Sequence, residues 1–228
     1  MAKKSKPTVH DPERITLTLR GSQAEIMAEA VRRQPTVGVV LDRLQRDLEH
    51  YPKREIRQYE AAILFTLAAQ YNHAGALIFE IGTCWGWSAA VMSEAAPLAR
   101  IVTCTPNPNH FKIASRNLVA YPNIEVKGER SVDLLADPAL DNLSLVFVDG
   151  DHQHVRDDLP WFNRLAAGGL MFHHDYSPPW SSPRPCRWVW DTLNEFTAKV
   201  HLPDVLIVDE NEEGMAGWYR QSGEVWNG

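Results

Sequence analysis

The sequence predicts a doubly wound α/β fold whose sheet is mostly parallel and closes on an antiparallel C-terminal hairpin strand. Three observations lead there. From residue 55 onward, short apolar runs alternate with segments of helical period, the order that lays helices on both faces of a parallel sheet. A glycine turn, Gly82 to Gly86, joins the first of these strands to a helix. The last two apolar runs, Val205–Val208 and Gly217–Arg220, flank Glu212-Glu213-Gly214 and suit a hairpin.

Taken in order, residues 1–14 are expected to be a disordered tail, and their basic head Lys3-Lys4-Ser5-Lys6 is too short to be a nucleic-acid arm. Ile15–Leu19 reads as a short β-like piece, with helices expected near 22–33 and 38–49. Together 15–54 form a helical extension that either lids the cleft or builds a homo-oligomer contact. The domain proper spans 55–228. Ile56, Tyr59, Ile63 and Leu67 fall at helical spacing ahead of a first strand at Ala76–Phe79. A helix follows over Ser88–Ala96, with Ser88 as its cap. Arg100–Cys104 is the second strand, and Phe111, Ala114 and Leu118 share a face of the next helix. Ile124–Val126 and Leu143–Val148 are the third and fourth strands. A helical segment is expected over 155–167, with Pro160 opening or kinking its second half and Gly168-Gly169 ending it. Leu170–His173 is the fifth strand. A Pro- and Ser-rich loop, 177–188, is the expected substrate lid, and a helix over 188–199 leads to the hairpin. The count is seven strands.

Bulk properties narrow the function. A net charge of −6 argues against nucleic-acid binding led by overall charge. No apolar run approaches the ~18 residues that span a membrane, and the N-terminus lacks a signal-peptide core. Cys84, Cys104 and Cys186 are widely spaced, show no metal-type pairing, and suit reduced thiols. The expectation is a cytoplasmic protein that binds neither nucleic acid nor membrane.

The chemistry concentrates at strand ends. Gly82 and Gly86 allow a tight turn, and the amides of the helix start favour a negative group such as a carboxylate. Asp149 and Asp175 end strands that should be parallel neighbours ~4.8 Å apart, on the edge where open α/β sheets place active sites. Carboxylates brought that close repel unless a cation or proton lies between them, and Mg²⁺ accepts such oxygen ligands. The plainer alternative has Asp149 opening a turn with Gly150 while Asp175 caps the next segment. His152 and His174 are candidate general bases. Strand alternation separates His173 from His174, so His173, like His154, reads as structural or surface. Trp85, Trp87 and Trp180 suit a pocket wall, whereas Trp188 and Trp190 read as core.

Three segments, Glu80-Ile81-Gly82-Thr83 through Gly86-Trp87-Ser88, Val148-Asp149-Gly150-Asp151-His152, and Gly168-Gly169-Leu170 into His174-Asp175-Tyr176, carry a resemblance. In order and spacing the chain resembles the class I S-adenosylmethionine-dependent methyltransferases, nearest their small-molecule O-methyltransferase branch of macrocin and catechol types, over roughly residues 55 to 220. The resemblance implies a Rossmann-like, seven-stranded fold, S-adenosylmethionine as cofactor, and methyl transfer to a small-molecule hydroxyl. It implies that Glu80 holds the cofactor's amino-acid end, with Gly82, Thr83 and Gly86 beneath it and Ser88 beside its carboxylate. Thr105, Asn107, Ser131, Asp149, Gly150 and His152 complete the implied cofactor site. It further implies Mg²⁺ or another divalent cation on Asp149, His174 and Asp175, with Asp149 counted among the catalytic groups and His152 or His174 taking the proton.

One position departs from the family pattern. Thr105 falls where the family has an acid that grips both ribose hydroxyls, and a neutral hydroxyl cannot make that charge-assisted bidentate contact. Such a loss costs ~1.5–3 kcal/mol unless Asn107 compensates. Two alternatives follow: a non-catalytic binding module whose cleft is filled by side chains such as Trp85, and metal-dependent chemistry of another kind on the same fold. A nicotinamide dehydrogenase is disfavoured, since the chain has neither G-x-G-x-x-G nor a ribose-binding acid.

Overall fold

Strands covered by helices on both faces must be apolar on both sides, and the chain meets that demand at Leu77–Ile81 (β1), Arg100–Cys104 (β2), Leu143–Val148 (β4) and Leu165–His173 (β5). Ile124–Lys127 (β3), Leu206–Asp209 (β6) and Met215–Tyr219 (β7) complete a sheet ordered β3-β2-β1-β4-β5-β7-β6. The computed structural model describes residues 23–47, 56–176, 186–200, 206–209 and 214–227. The expected tail at 1–14, the piece Ile15–Leu19 and most of the 177–188 loop, Trp180 included, lie outside them.

Pairing is parallel throughout except at β7, which runs antiparallel to both β5 and β6. The chain steps outward from β1 to β2 and β3, then returns to β4 on the other side of β1. That reversal opens a crevice at the carboxyl ends of β1 and β4. Alternate residues feed two cores. Ile78, Ile101, Leu145, Phe147 and Phe172 pack toward Gln58–Ala68 (α2) and Trp87–Ala95 (α3). Phe79, Val102, Val146 and Met171 pack with Trp161, Phe162 and the face Val189, Leu193, Phe196 of Arg187–Val200 (α6). Pro108–Asn117 (α4) leads from β2 to β3, and Val155–Asp158 (α5) follows β4.

Two expectations need correcting. The N-terminal pair of helices is one helix, Gln23–Asp47 (α1), with Pro35 inside it. An interior proline costs about 3 kcal/mol, but Ile26, Val37, Leu41 and Leu44 are buried in the same core as α2 and α3. Each such burial is worth about 1.5–3 kcal/mol, so packing outweighs the break. Gln58 Nε2 also donates to Gln34 O at 2.9 Å, bracing the turn beside the proline. The second correction concerns 155–167. Only Val155–Asp158 is α-helical, a 3-10 stretch opened by Pro160 covers Leu159–Arg164, and β5 already begins at Leu165. Gly168 and Gly169 therefore lie inside a strand and end no helix. The β4–β5 register shifts between Leu143 and Leu145, and a Cβ at Gly169 would stand 2.7 Å from Leu143 O. The glycines serve a strand irregularity.

Candidate active site

The site grows from the end of β1. Gly82 and Thr83 both donate to Cys104 O at 3.1 Å, and Asp149 N donates to Ile81 O at 2.8 Å, tying the turn to β2 and β4. Gly82 has φ 104°, and a Cβ there would lie 2.1 Å from Asp149 O. Only glycine lets the turn pass this close to the end of β4. Gly86, with φ 93°, is the N-cap of α3, and its Cβ would meet Leu118 at 2.9 Å. Its constraint is packing against Leu118, not room for a ligand. Ser88 is likewise not the helix cap that its sequence position predicted. It lies within α3, which starts at Trp87, and its hydroxyl hydrogen-bonds Glu80.

Glu80 is the one charged residue in the buried strand β1. Thr103, its partner across the β1–β2 register, donates to its Oε2 at 2.5 Å, while Thr83 and Thr103 hydroxyls lie 2.6 Å apart. Burial pushes the Glu80 carboxyl up to about 7; the Ser88 and Thr103 hydroxyls pull it back, and the charge of Asp149 adds to the rise. Its Oε1 is buried without a hydrogen-bond partner among the described residues.

Beside the turn runs a cleft of about 590 Å³. Gly82, Thr105, Ser131, Asp149 and Gly150, all selected from sequence, line it. Glu80, Thr83, Gly86 and Ser88 stand behind that lining. Asn107 does not line it either: its Oδ1 accepts from Asn109 N at 2.9 Å and His110 N at 3.3 Å and so caps α4. Thr105 offers its hydroxyl to Asn107 N at 3.4 Å. Trp85 does not fill the cleft; it packs half-buried against the core with its ring 5.1 Å from His110. Trp87 is core, against expectation. So is the reverse at Trp188, expected inside and 56% exposed, while Trp190 stacks on Tyr176 at 4.6 Å.

On the other side of Asp149, four side chains converge. His152 Nε2 lies 2.8 Å from Asp175 Oδ2 and 3.7 Å from Asp149 Oδ1. His174 Nδ1 lies 3.1 Å from Asp175 Oδ2 and 3.6 Å from Asp149 Oδ1. His174 N donates to Val148 O at 3.0 Å, and Asp175 takes a left-handed φ of 60° just beyond β5, which together hold this segment over β4. Neither ring nitrogen is aligned for a hydrogen bond with the carboxylates it faces. His154 is exposed and bonds Asp151, and His173 is buried against Trp218 with neither ring nitrogen partnered, so neither joins the cluster.

The electrostatics are those of imidazoles facing carboxylates. Asp149, Asp175 and Cys186 push the His152 imidazole up to about 12, against a smaller desolvation effect. Burial disfavours charge on His174, but Asp149, Asp175 and Glu60 outweigh it and raise its pKa. Burial pushes Asp175 up, and the two histidines more than reverse it, holding the carboxyl well below its usual range.

These residues fit both groups that the resemblance implies. Asp149, His152 and Asp175 each present a ligand atom within 4.8 Å of the others, and His152 Nε2, once deprotonated, would offer a cation its lone pair. His152 thus takes the place in the triad that the resemblance implied for His174. For a nucleoside-bearing methyl donor, Gly82 keeps the turn free of a side chain and Glu80 Oε1 is an acceptor lacking a donor. Thr105 fits a ribose diol less well than a carboxylate would.

Sequence reasoning missed two members. Glu60, in the first turn of α2, reads as an ordinary helix-start acid, and it does accept from Arg57 N at 2.9 Å. It is also buried, with Oε1 3.7 Å from His174 Nε2. Asp158 reads as a solvated helix acid but is buried and accepts from Ser131 Oγ at 2.5 Å. Nothing in its spacing marks it, because the burial that singles it out depends on another element covering it.

Comparisons with known proteins agree with this architecture. Residues 79–176 match a family model described as a methyltransferase domain. No curated protein matches the chain. Similar solved structures include the O-methyltransferase TomG from Streptomyces achromogenes, involved in tomaymycin synthesis and in complex with SAM. It is 18% identical, with 84% of this chain and 89% of that one covered and a TM-score of 0.59. An O-methyltransferase from Bacillus cereus in complex with SAH is 17% identical, covering 82% and 91% with a TM-score of 0.61. Cofactor-bound Rv0187 from MTB is 20% identical, covering 96% and 100% with a TM-score of 0.63.

Proposed function

We propose that the chain, whose residues 79–176 match a methyltransferase-domain family model and whose fold is that of SAM- and SAH-bound O-methyltransferases, transfers a methyl group from S-adenosylmethionine to a hydroxyl of a small molecule with help from a divalent cation. One observation carries the reading: Asp149 belongs at once to the cleft beside the glycine turn and to the cluster with His152 and Asp175. A donor in the first and a hydroxyl at the second would meet across one side chain.

Methyl transfer is an in-line displacement, so positioning dominates its catalysis. Gly82, Gly150 and Ser131 shape the donor cleft, and Glu80 stands beneath with a free acceptor oxygen. Asp149, His152 and Asp175 would hold Mg²⁺ or a similar cation, which when bound supplies Lewis acidity that favours the ionised hydroxyl. His174 is the group we assign to the proton. Its Nδ1 faces the cluster, while Glu60 lies behind Nε2, an arrangement that orients an imidazole and stabilises the imidazolium it becomes. Without a cation the carboxylates hold both imidazoles protonated, so proton uptake at neutral pH requires that their charge be balanced.

Titration calorimetry with S-adenosylmethionine, with and without Mg²⁺, tests the reading. Binding is expected, and turnover of a hydroxyl acceptor should disappear with EDTA and return with Mg²⁺. No heat of binding at millimolar donor sinks it. Thr105 favours a second reading, a module that binds the nucleoside weakly and does not turn over; it predicts donor binding with no methyl consumption on any hydroxyl panel.

A further inference from the structure

Far from the cleft's glycine turn, β3 forms one edge of the sheet and pairs only with β2 among the described strands. The opposite edge, β6, lies against α1. Two bonds show which backbone groups of β3 are spent. Ile101 N donates to Asn123 O at 2.8 Å and Thr105 N donates to Lys127 O at 3.1 Å, so the odd-numbered residues face β2. Alternation then turns the N–H and C=O of Val126 outward, with Ile124 C=O before them and Gly128 N–H after. Ile124 N is already bonded to Tyr121 O at 3.1 Å, and Ile124–Lys127 is half-buried throughout.

An open edge is a template for another strand, and a lysine on it ordinarily repels one. Here the lysine is matched: Glu125 and Lys127 share a face, with Lys127 Nζ 2.9 Å from Glu125 Oε1. We propose that β3 pairs with β3 of a second copy of this chain, antiparallel and two-fold about Val126. The two Val126 residues then exchange N–H···O bonds, and each Gly128 N–H donates to Ile124 O of the other copy. Glu125 of each copy stands directly opposite Lys127 of the other, a pairing that stabilises a sheet. Sliding one strand by two residues sets glutamate against glutamate or lysine against lysine, so the charges also fix the register. Apolar surface flanks both ends of the strand. Leu98, 63% exposed, walls a hollow of about 370 Å³ with Pro122 and Ile124 at the amino end. Phe111, 38% exposed, lies beside Gly128 at the other. Antiparallel pairing joins unlike ends, so each Phe111 comes to the other copy's hollow.

Sedimentation velocity on the full chain tests the proposal. So short an interface belongs with the weak ones, and the mass should rise from one chain toward two between about 1 µM and 1 mM. Lys127→Glu sets carboxylates against carboxylates and Glu125→Lys sets ammonium groups against each other, so each variant alone should associate about tenfold more weakly or worse. An equimolar mixture of the two puts every lysine opposite a glutamate and should restore the unaltered association. In the unaltered protein, which needs no variant to fold, the amides of Val126 and Gly128 should exchange with deuterium more slowly at high concentration than at low. A chain that stays monomeric over the whole range overturns the proposal. So does a dimer that leaves those amides unprotected or that both single variants keep, since its contact lies elsewhere, as on α1. A mixture of folded variants that associates no better than either alone overturns it as well.

Discussion

His174 is flanked by carboxylates at both ring nitrogens, Glu60 behind it and Asp149 with Asp175 in front. Glu60 therefore adds to the effect of Asp149 and Asp175 in favouring the protonated imidazole. Glu60→Gln keeps an acceptor for Arg57 N but removes a negative charge, so melting should be little changed while kcat falls about ten- to a hundredfold. The loss of charge lowers the His174 pKa, so the acidic limb of the kcat/KM profile should move to lower pH. A purely structural Glu60 would leave that limb in place. His173 gives the opposite case, since burial, and then the charge of His152, lowers it to about 3. Between that value and the unfolded value near 6.5 the unfolded chain binds a proton that the native one does not, so stability falls as pH drops through this window. From pH 7.5 to 5.5 this one group should cost about 1.4 kcal/mol, and His173→Leu should lose that much less than the unaltered protein by urea denaturation. At this scale the placing of Asp149 and Asp175 and the separation of His173 from His174 were legible, because strand ends and strand alternation set them, whereas Glu80 came only with the family resemblance. Glu60 and Asp158 were not, since an acid on a helix reads as solvated until another element covers it.

At the scale of elements, the β1–α3 turn depends on how closely it passes β4. Gly75 and Gly82 share left-handed geometry, with φ of 89° and 104°, but a Cβ at Gly75 meets nothing within 4 Å while one at Gly82 would stand 2.1 Å from Asp149 O. Gly75→Ala should cost only the backbone strain, about 1–2 kcal/mol. Gly82→Ala adds a backbone clash that no rotamer relieves and should cost about 3 kcal/mol or more. Urea midpoints of the two variants check the contrast, and equal losses would show that β1 and β4 can separate at little cost. The same dependence on neighbours explains what the sequence left illegible. Apolar runs named the strands because burial on two faces admits little else. The expected gap between helices near 22–33 and 38–49 spans Pro35, whose cost is local, whereas the burial of Ile26, Leu41 and Leu44 that overrides it depends on α2 and α3. Trp161, Phe162 and Leu165 have a helix-like spacing, yet their 3-10 path into β5 follows from Pro160 and from Gly169 pressing on Leu143.

The whole molecule puts the cleft beside the glycine turn and the cluster of His152, His174 and Asp175 on opposite sides of Asp149, at the point where the strand order reverses. Any ligand on one side then acts on the other through that carboxylate. The negative charge of Asp149 is among the causes that raise Glu80 to about 7, beneath the turn. A cation at Asp149, His152 and Asp175 would balance that charge, leave Glu80 more fully ionised at neutral pH, and strengthen its attraction for the ammonium of an amino-acid ligand above it. Mg²⁺ should therefore tighten binding of S-adenosylhomocysteine, by about fivefold at the low end of measured couplings, and S-adenosylhomocysteine must tighten Mg²⁺ by the same factor. Two substitutions separate the causes. Asp175→Asn should weaken Mg²⁺ while sparing S-adenosylhomocysteine measured without metal, because Asp175 is not part of the cleft lining. Asp149→Asn should weaken Mg²⁺ and abolish the coupling as well, since it removes the charge that both sites share. Calorimetric titrations of each ligand in the absence and presence of the other measure all of these quantities. Equal affinities for S-adenosylhomocysteine with and without saturating Mg²⁺ in the unaltered protein would show that the two halves of the site act independently, and that Asp149 joins them in space but not in energy.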